Sequence, residues 1–450
     1  MAFLFLYPSC SRISAINCFE MFKINTKSFK TKQVSTLITN FFSLVLLQVL
    51  NVVLPFLTIP YLIRTVGLEK FGLLTFVHSF VLFLVIFVEY GFNISTTREL
   101  SICSDDKKEV QRIYSEVLSA KLFLLLVCFF VFSVVVFCFD RFRENALIYF
   151  LYFGIVVGQT LFSLWLFQGL QKMKYVSYIN VFFKTIFTVC IFIFVKGVPD
   201  IWMVPLFLSA GAVFSGIASL VVIRFVLDIH YTLPKFEAIT GQLKTGYHLF
   251  MSEFYMAVLT FSNVLILGFV SGNQSVGIYS AAEKVIRAAA SLLSPVINTL
   301  YPHVSKLVNE DYKQGMAFIE KAKKWGVLII IFGTVFVFVF ADLLFDIIYK
   351  NKDVANLEQS VLVFRIMIVF PLVSFLDQVY GKLVLIVLGR ADIFFKIFSA
   401  CAVFNLILCA VLSYYFNYLG TASSSIISQI IIAFLMYYYA SGVQKKYLQQ

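Results

Sequence analysis

Residues 262–307 read SNVLILGFVSGNQSVGIYSAAEKVIRAAASLLSPVINTLYPHVSKL. Two apolar stretches flank a turn marked by Gly272 and Gly277, and the second carries Glu283, Lys284 and Arg287 at helical spacing ahead of Pro295. A bilayer-spanning helix takes about 20 apolar residues, so this stretch holds parts of two spans joined by a tight reversal. Outward from it, apolar runs bounded by charges or by Gly, Pro and Asn fall at about 34–60, 71–97, 116–139, 145–167, 175–195, 201–225, 249–270, 276–302, 325–348, 360–388, 397–416 and 421–442. Only helices and closed barrels satisfy backbone groups in lipid, and runs this long without strict alternation exclude a barrel. The expected fold is an all-α polytopic membrane protein of about 12 spans.

Composition agrees. Of 450 residues, 60% are apolar and 13% charged, and the mean hydropathy is +0.91. A water-exposed surface needs about twice that charge, which excludes a soluble domain. The net charge of +12 would suggest nucleic acid in a soluble protein. Here the surplus marks cytoplasmic loops facing anionic lipid, and no nucleic-acid partner is expected. With the N-terminus inside, the inner segments hold 23 Lys and Arg and the outer loops 7, which predicts that both termini are cytoplasmic. The expected organisation is a cytoplasmic N-terminal segment 1–33, an N-lobe 34–225, a cytoplasmic linker 226–248, a C-lobe 249–442 and a tail 443–450. Residues 1–20 read as an upstream start with no role in the fold, because Met21 opens the basic segment that leads into the first span.

The eight cysteines form no CxxC pair, so neither a disulfide framework nor a metal site is expected, and no cofactor. No outer loop exceeds about a dozen residues, too little to close a wet active site outside the membrane. The longest inner connections, near 98–115, 226–248 and 303–324, are too small for a nucleotide-binding domain. Walker A, GxGxxG, HExxH and GxSxG are all missing, and the expectation is a chain that is not an enzyme.

An internal repeat appears at a shift of 205 residues. Gly67 to Thr75 (GLEKFGLLT) matches Gly272 to Ser280 (GNQSVGIYS), and Asn93 falls on Asn298. Both copies start inside, so two six-helix lobes related by an axis along the membrane normal are expected around a central cavity.

Ionisable residues inside spans are expensive and single out candidate sites. Arg287 lies 11 residues into its span, about 16 Å down and close to the bilayer middle. A guanidinium there suits bidentate capture of phosphate; the alternative is a structural pair with Glu283, four residues earlier on the same face. Lys184 sits about 13 Å into span five, for substrate or for snorkelling. Arg365 and Lys382, at the ends of span ten, read as snorkelling. The carboxylates Glu89, Glu253, Glu283 and Asp377 are candidates for ion coupling or charge balance, with simple solvation an equal reading for Glu89 and Glu253. His78 reads as a proton relay or as a packed, hydrogen-bonded ring. Pro55 and Pro295 are either ordinary kinks or bending points of the two lobes.

Four stretches carry a family resemblance: PFLTIPYLIRTVGLEKFGLLTF (55–76), EYGFNISTTREL (89–100), LWLFQGLQKMKY (164–175) and the opening stretch 262–307. From about residue 34 onward the chain resembles the Wzx-type O-antigen flippases of the multidrug/oligosaccharidyl-lipid/polysaccharide (MOP) superfamily. That resemblance implies a bacterial inner-membrane protein moving an undecaprenyl-pyrophosphate-linked O-antigen or capsular oligosaccharide unit to the periplasmic leaflet. It also implies alternating access, coupling to H+ or Na+, membrane lipids as surroundings and polysaccharide polymerase machinery as a partner. Arg64, Arg98, Glu283, Lys284 and Arg287 stand at the family's recurrent charged positions, and the four cations among them form, with Lys184, the expected pyrophosphate-binding set. The rival readings are a multidrug exporter of the same architecture, with an acidic, aromatic-lined cavity, and a polymerase or ligase, which would need a large outer loop.

Overall fold

Gly67 and Gly272 decide how the chain turns. Their backbones stand at φ +80°, ψ 166° and φ +81°, ψ 178°, a region that side chains with a Cβ avoid, and each reverses the chain inside an otherwise continuous helix. The computed structural model describes residues 26–349 and 357–448. Most of the segment 1–33, including the expected upstream start, and the end of the tail lie outside the described residues.

The helices are α1 (Thr26–Glu89), α2 (Phe92–Ile102), α3 (Lys107–Cys138), α4 (Asp140–Arg143), α5 (Ala146–Leu161), α6 (Leu164–Gly169), α7 (Met173–Phe194), α8 (Met203–Val221), α9 (Phe236–Ser291), α10 (Leu293–Glu310), α11 (Tyr312–Val339), α12 (Ala341–Tyr349), α13 (Leu357–Met367), α14 (Phe370–Gln378) and α15 (Ala391–Leu448). No strand occurs among the described residues. Nine helical stretches among them are long and apolar enough to cross a membrane. Three of these contain a single non-helical residue, Gly67, Gly272 or Asn417, and a count of twelve requires dividing each at that point.

Several helices run past their apolar stretches. The expected inner loops 98–115 and 303–324 are mostly helical, broken only between Ile102 and Lys107 and at Asp311. Apolar runs mark the immersed part of a helix, whereas its backbone bonds persist into water. Asp106 and Asp311 cap the restarting helices, each side chain accepting from two backbone N–H groups. Pro295 has a local consequence. It cannot donate to the carbonyl of Ser291, and the helix ends at Ser291 before resuming at Leu293.

The two lobes meet along α1 and α9, and the contact obeys the repeat. A Cβ on Gly72 would stand 1.8 Å from the Asn273 carbonyl, and one on Gly277 would stand 1.9 Å from the Leu68 carbonyl. Gly72 and Gly277 are 205 residues apart, and so are Leu68 and Asn273. Each lobe therefore presses a glycine onto the other's backbone at the Gly67/Gly272 end. Arg141 adds bonds from its guanidinium to the carbonyls of Gly268 and Phe269. At the opposite end, Tyr90 stacks on Phe250 with ring centroids 4.5 Å apart, and Gly91, at φ +74°, leaves no room for a side chain against Leu249 and Phe250. The lobes thus touch at both ends, with space left between.

Candidate functional site

Two cavities lie on either side of one side chain, Arg287. A cavity of about 310 Å³ lies between the lobes, walled by Pro55, Ile59 and Pro60 of α1, by Lys284 and Ala288 of α9 and by Ile348 and Tyr349 at the end of α12. A second, of about 450 Å³, lies within the C-lobe, walled by α9, α14, the turn after it and α15. Arg287 and Ser291 line both.

The pair with Glu283 and the exposed guanidinium coexist. Nε of Arg287 donates to Glu283 Oε1 at 2.6 Å, and Glu283 keeps 3% of its side chain exposed against 31% for Arg287. Either Nη is without a hydrogen-bond partner among the described residues, and the guanidinium sits 5.6 Å from the centroid of the Phe370 ring. One edge of the fork is thus held by the carboxylate and the other borders the cavities. Arg287 is partly exposed and its outer edge is open to the two cavities, a geometry that suits an anion.

Other expected cations gather unevenly around it. Lys284 lines the interlobe cavity. Lys284, from the C-lobe, and Lys184, from the N-lobe, both lie close enough for their charges to act on the His78 ring, which also packs 5.6 Å from Tyr152. Positive charge from both lobes therefore reaches His78, while Lys184 itself lines neither cavity beside Arg287. Arg64 has another engagement: its Nε donates to the Tyr349 carbonyl at 2.7 Å and its Nη2 to the Ile348 carbonyl. It caps the negative end of α12 and ties span one to the C-lobe at the rim of the cavity. Arg98 is exposed on α2 and lines none of these cavities.

The acids divide in the same way. Glu89 is 8% exposed rather than solvated. Its Oε1 accepts from Lys121 Nζ at 3.0 Å and its Oε2 from Asn93 at 2.9 Å. Lys121 is fully buried and also donates to the Gln159 carbonyl at 3.0 Å. Glu253 is half-buried and near enough to Glu89 for their charges to interact. Asp377 is buried and accepts from Gln429. Neither Glu253 nor Asp377 forms a salt bridge among the described residues. Arg365 pairs with Asp342 at 2.6 Å.

Two features had no advance signal. Lys121 stood out only as a lysine in a greasy run. The C-lobe also holds a relay of neutral groups: Tyr279 meets Ser425 at 3.1 Å, Asn263 donates to Ser425 and Asn405 to Asn263 at 2.8 Å each, and Ser428 donates to Asn405 at 2.8 Å. Among the described residues no group of His, Cys, Asp and Glu could hold a metal ion.

The family model for polysaccharide biosynthesis proteins matches residues 37–308, the segment that carries α1, the reciprocal glycines and Arg287. The chain belongs to the polysaccharide biosynthesis protein family. Among its relatives is the "Putative O-antigen transporter" of Escherichia coli strain K12, 28% identical over 397 residues, covering 88% of this chain and 95% of that protein. A protein of the same description from Shigella dysenteriae is 29% identical over 401 residues, covering 88% and 98%. Among solved structures, an inward-facing multidrug resistance MATE family transporter of the MOP superfamily superposes with a TM-score of 0.70 at 14% identity, covering 88% of this chain and 96% of that one. The lipid II flippase MurJ in an inward closed conformation also gives 0.70, at 13% identity, covering 91% and 87%. The chain is a multi-pass membrane protein with the MOP-superfamily fold, its curated relatives are transporters, and it is grouped with them rather than with enzymes.

Proposed function

We propose that this member of the polysaccharide biosynthesis family is a flippase. It moves an undecaprenyl-pyrophosphate-linked oligosaccharide, of O-antigen or capsular type, from the cytoplasmic to the periplasmic leaflet of a bacterial inner membrane. The observation that carries this reading is the free edge of Arg287 between two cavities. A pyrophosphate and its sugars cannot cross hydrocarbon unaided, because each charged or polar group would lose its hydration. A guanidinium with both Nη groups available replaces part of that hydration through charge-assisted bonds of about 1.5–3 kcal/mol each. Glu283 offsets the charge, so the anion is held without being trapped. Lys284 and Lys184 add attraction from the two lobes.

The mechanism follows from the twin contacts. Twelve spans in lobes 34–225 and 249–442, with both termini cytoplasmic, put the Gly67/Gly272 end on the periplasmic side. Parting Tyr90 from Phe250 admits the headgroup from the cytoplasm; parting Gly72 from Asn273, with release of Arg64 from α12, discharges it. The interlobe cavity is walled on one side by Pro55 and Phe56 of span one, and Phe56 is exposed. The polyprenyl chain stays in lipid beside that wall. Glu89 and Glu283 balance buried cations, which leaves Glu253 and Asp377; Asp377 lines the C-lobe cavity, and Glu253, outside it, is the acid for coupling to H+ or Na+. Delivered units pass to polymerase machinery.

The test is complementation of a strain lacking its own flippase. Arg287→Ala alone would strand Glu283 as a buried, unpaired charge and threaten folding. The variant Glu283→Gln/Arg287→Gln removes both charges together and is the cleaner probe. Wild type should restore surface polysaccharide, and the double variant, at equal membrane abundance, should leave lipid-linked units in the cytoplasmic leaflet. Restoration by the double variant would overturn the role of Arg287.

A further inference from the structure

The C-lobe cavity has a composition that phosphate binding does not explain. Beyond Arg287 it presents a carboxylate, Asp377, an ammonium, Lys382, and four primary amides, Gln378 and Gln429 with Asn263 and Asn405 behind them. Aromatic rings of Phe370, Phe394 and Phe398 complete the wall. One of these polar groups, Lys382, sits on an unusual piece of backbone. Residues Val379–Ile386 form a π-helical turn directly after α14. Its wider winding bonds residues five apart and carries Lys382, while Asp377 and Gln378 close the α-helix just before it; all three line the cavity. Such turns cost hydrogen-bond geometry and are found mostly at functional sites.

One atom in this wall lacks its partner. Gln378 Oε1 is buried and accepts no hydrogen bond among the described residues, while its amide nitrogen reaches the Ser374 carbonyl at 3.3 Å. A buried acceptor left unmade costs about 1–3 kcal/mol; Gln378 Oε1 has virtually no accessible surface of its own and meets a ligand donor only when the amide turns toward the cavity its residue lines. The floor behind is the Asn263–Asn405–Ser425–Ser428 relay, whose groups satisfy one another and hold the wall in place.

We propose that this cavity is a saccharide subsite, taking the pyranose ring nearest the pyrophosphate while Arg287 holds the phosphate at its mouth. Hydroxyl groups are donors and acceptors at once. Asp377 and Gln378 Oε1 accept from them, Lys382 and the Gln429 amide donate to them, and the phenylalanine rings take the apolar ring face. A volume of about 450 Å³ lies within the range of small-ligand pockets. Selection among sugars then falls to Gln378, Lys382 and Gln429, since a hydroxyl missing from a buried polar site leaves a group unpaired. This inference rests on the flippase reading and names the part of the substrate that the C-lobe reads.

The experiment measures binding of two lipids to the full chain in nanodiscs: undecaprenyl pyrophosphate, and undecaprenyl pyrophosphate bearing one N-acetylhexosamine. Wild type should prefer the sugar-bearing lipid by about tenfold, the yield of two or three neutral hydrogen bonds. Gln378→Leu removes the orphaned acceptor and should fold at least as well as wild type; Lys382→Met keeps the side chain's length. Each should weaken the preference, the two together should abolish it, and affinity for the bare lipid should stay unchanged. A preference absent in wild type, or surviving both substitutions, overturns the subsite. A preference that disappears when sodium is replaced by choline assigns the cavity to a cation and overturns it too. Failure of wild type to bind either lipid refutes the flippase reading itself.

Discussion

Replacing Lys121 by Met should destabilise the protein by about 3–5 kcal/mol, because it leaves the buried Glu89 carboxylate without its counter-charge. The geometry sets this size. Lys121 has no exposed surface and Glu89 has 11% of its side chain exposed, so water cannot replace the missing ammonium. Asn93 still donates to Glu89 Oε2, which softens the loss, whereas the Gln159 carbonyl loses its donor. Substituting both partners, as Glu89→Gln/Lys121→Met, removes the charge problem and should recover most of the loss, leaving about 1–2 kcal/mol for the carbonyl. The double variant should then be about 2–3 kcal/mol more stable than Lys121→Met, and the coupling between the two sites exceeds that by the cost of Glu89→Gln alone, which strands the Lys121 ammonium. Equilibrium unfolding in mixed micelles, run as a four-member cycle, reads these values. If Lys121→Met lies within about 1 kcal/mol of wild type, or the double variant is as unstable as the single one, the pair is not holding a buried charge and the reasoning fails.

The remaining predictions concern the interlobe contacts. Gly277→Leu would drive a side chain into the Leu68 carbonyl, so a cysteine placed at position 68, in a background without native cysteines, should react with an aqueous maleimide faster than with Gly277 present. Arg64→Gln should accelerate the same reaction without any clash, by freeing the last carbonyls of α12; an unchanged rate would show that these bonds do not hold the end closed. Gly241→Ala serves as the contrast: its Cβ would meet open space inside a helix, and unfolding should show a gain of about 0.5–1 kcal/mol with no change in labelling.

Local rules made the spans, the reversals at Gly67 and Gly272 and the Glu283–Arg287 pair legible, because each depends on residues within a turn or two of one another. The repeat marked two matching turns but not that they would touch; the structure brings the matched positions together, Gly72 onto Asn273 and Gly277 onto Leu68. What stayed hidden were partners brought together by packing alone. Nothing in the neighbourhood of Lys121 points to Glu89, 32 positions earlier, and Arg64 gives no sign that it will reach carbonyls at Ile348 and Tyr349. Neutral groups were harder still. Asn263, Asn405, Ser425 and Ser428 sit in apolar runs without charge to mark them, and their order emerges only when α9 and the two halves of α15 pack together. Helix ends were blurred for another reason, since apolar length records immersion in lipid and says little about where a capped helix stops.

The central claim, that the free edge of Arg287 receives phosphate at mid-membrane, is tested most directly by an experimental structure of the protein with undecaprenyl pyrophosphate bound. The account predicts phosphate oxygens about 2.7–2.9 Å from the Nη atoms of Arg287, with the Nε bond to Glu283 retained. Phosphate bound elsewhere, with those Nη atoms engaged only by protein, would contradict it.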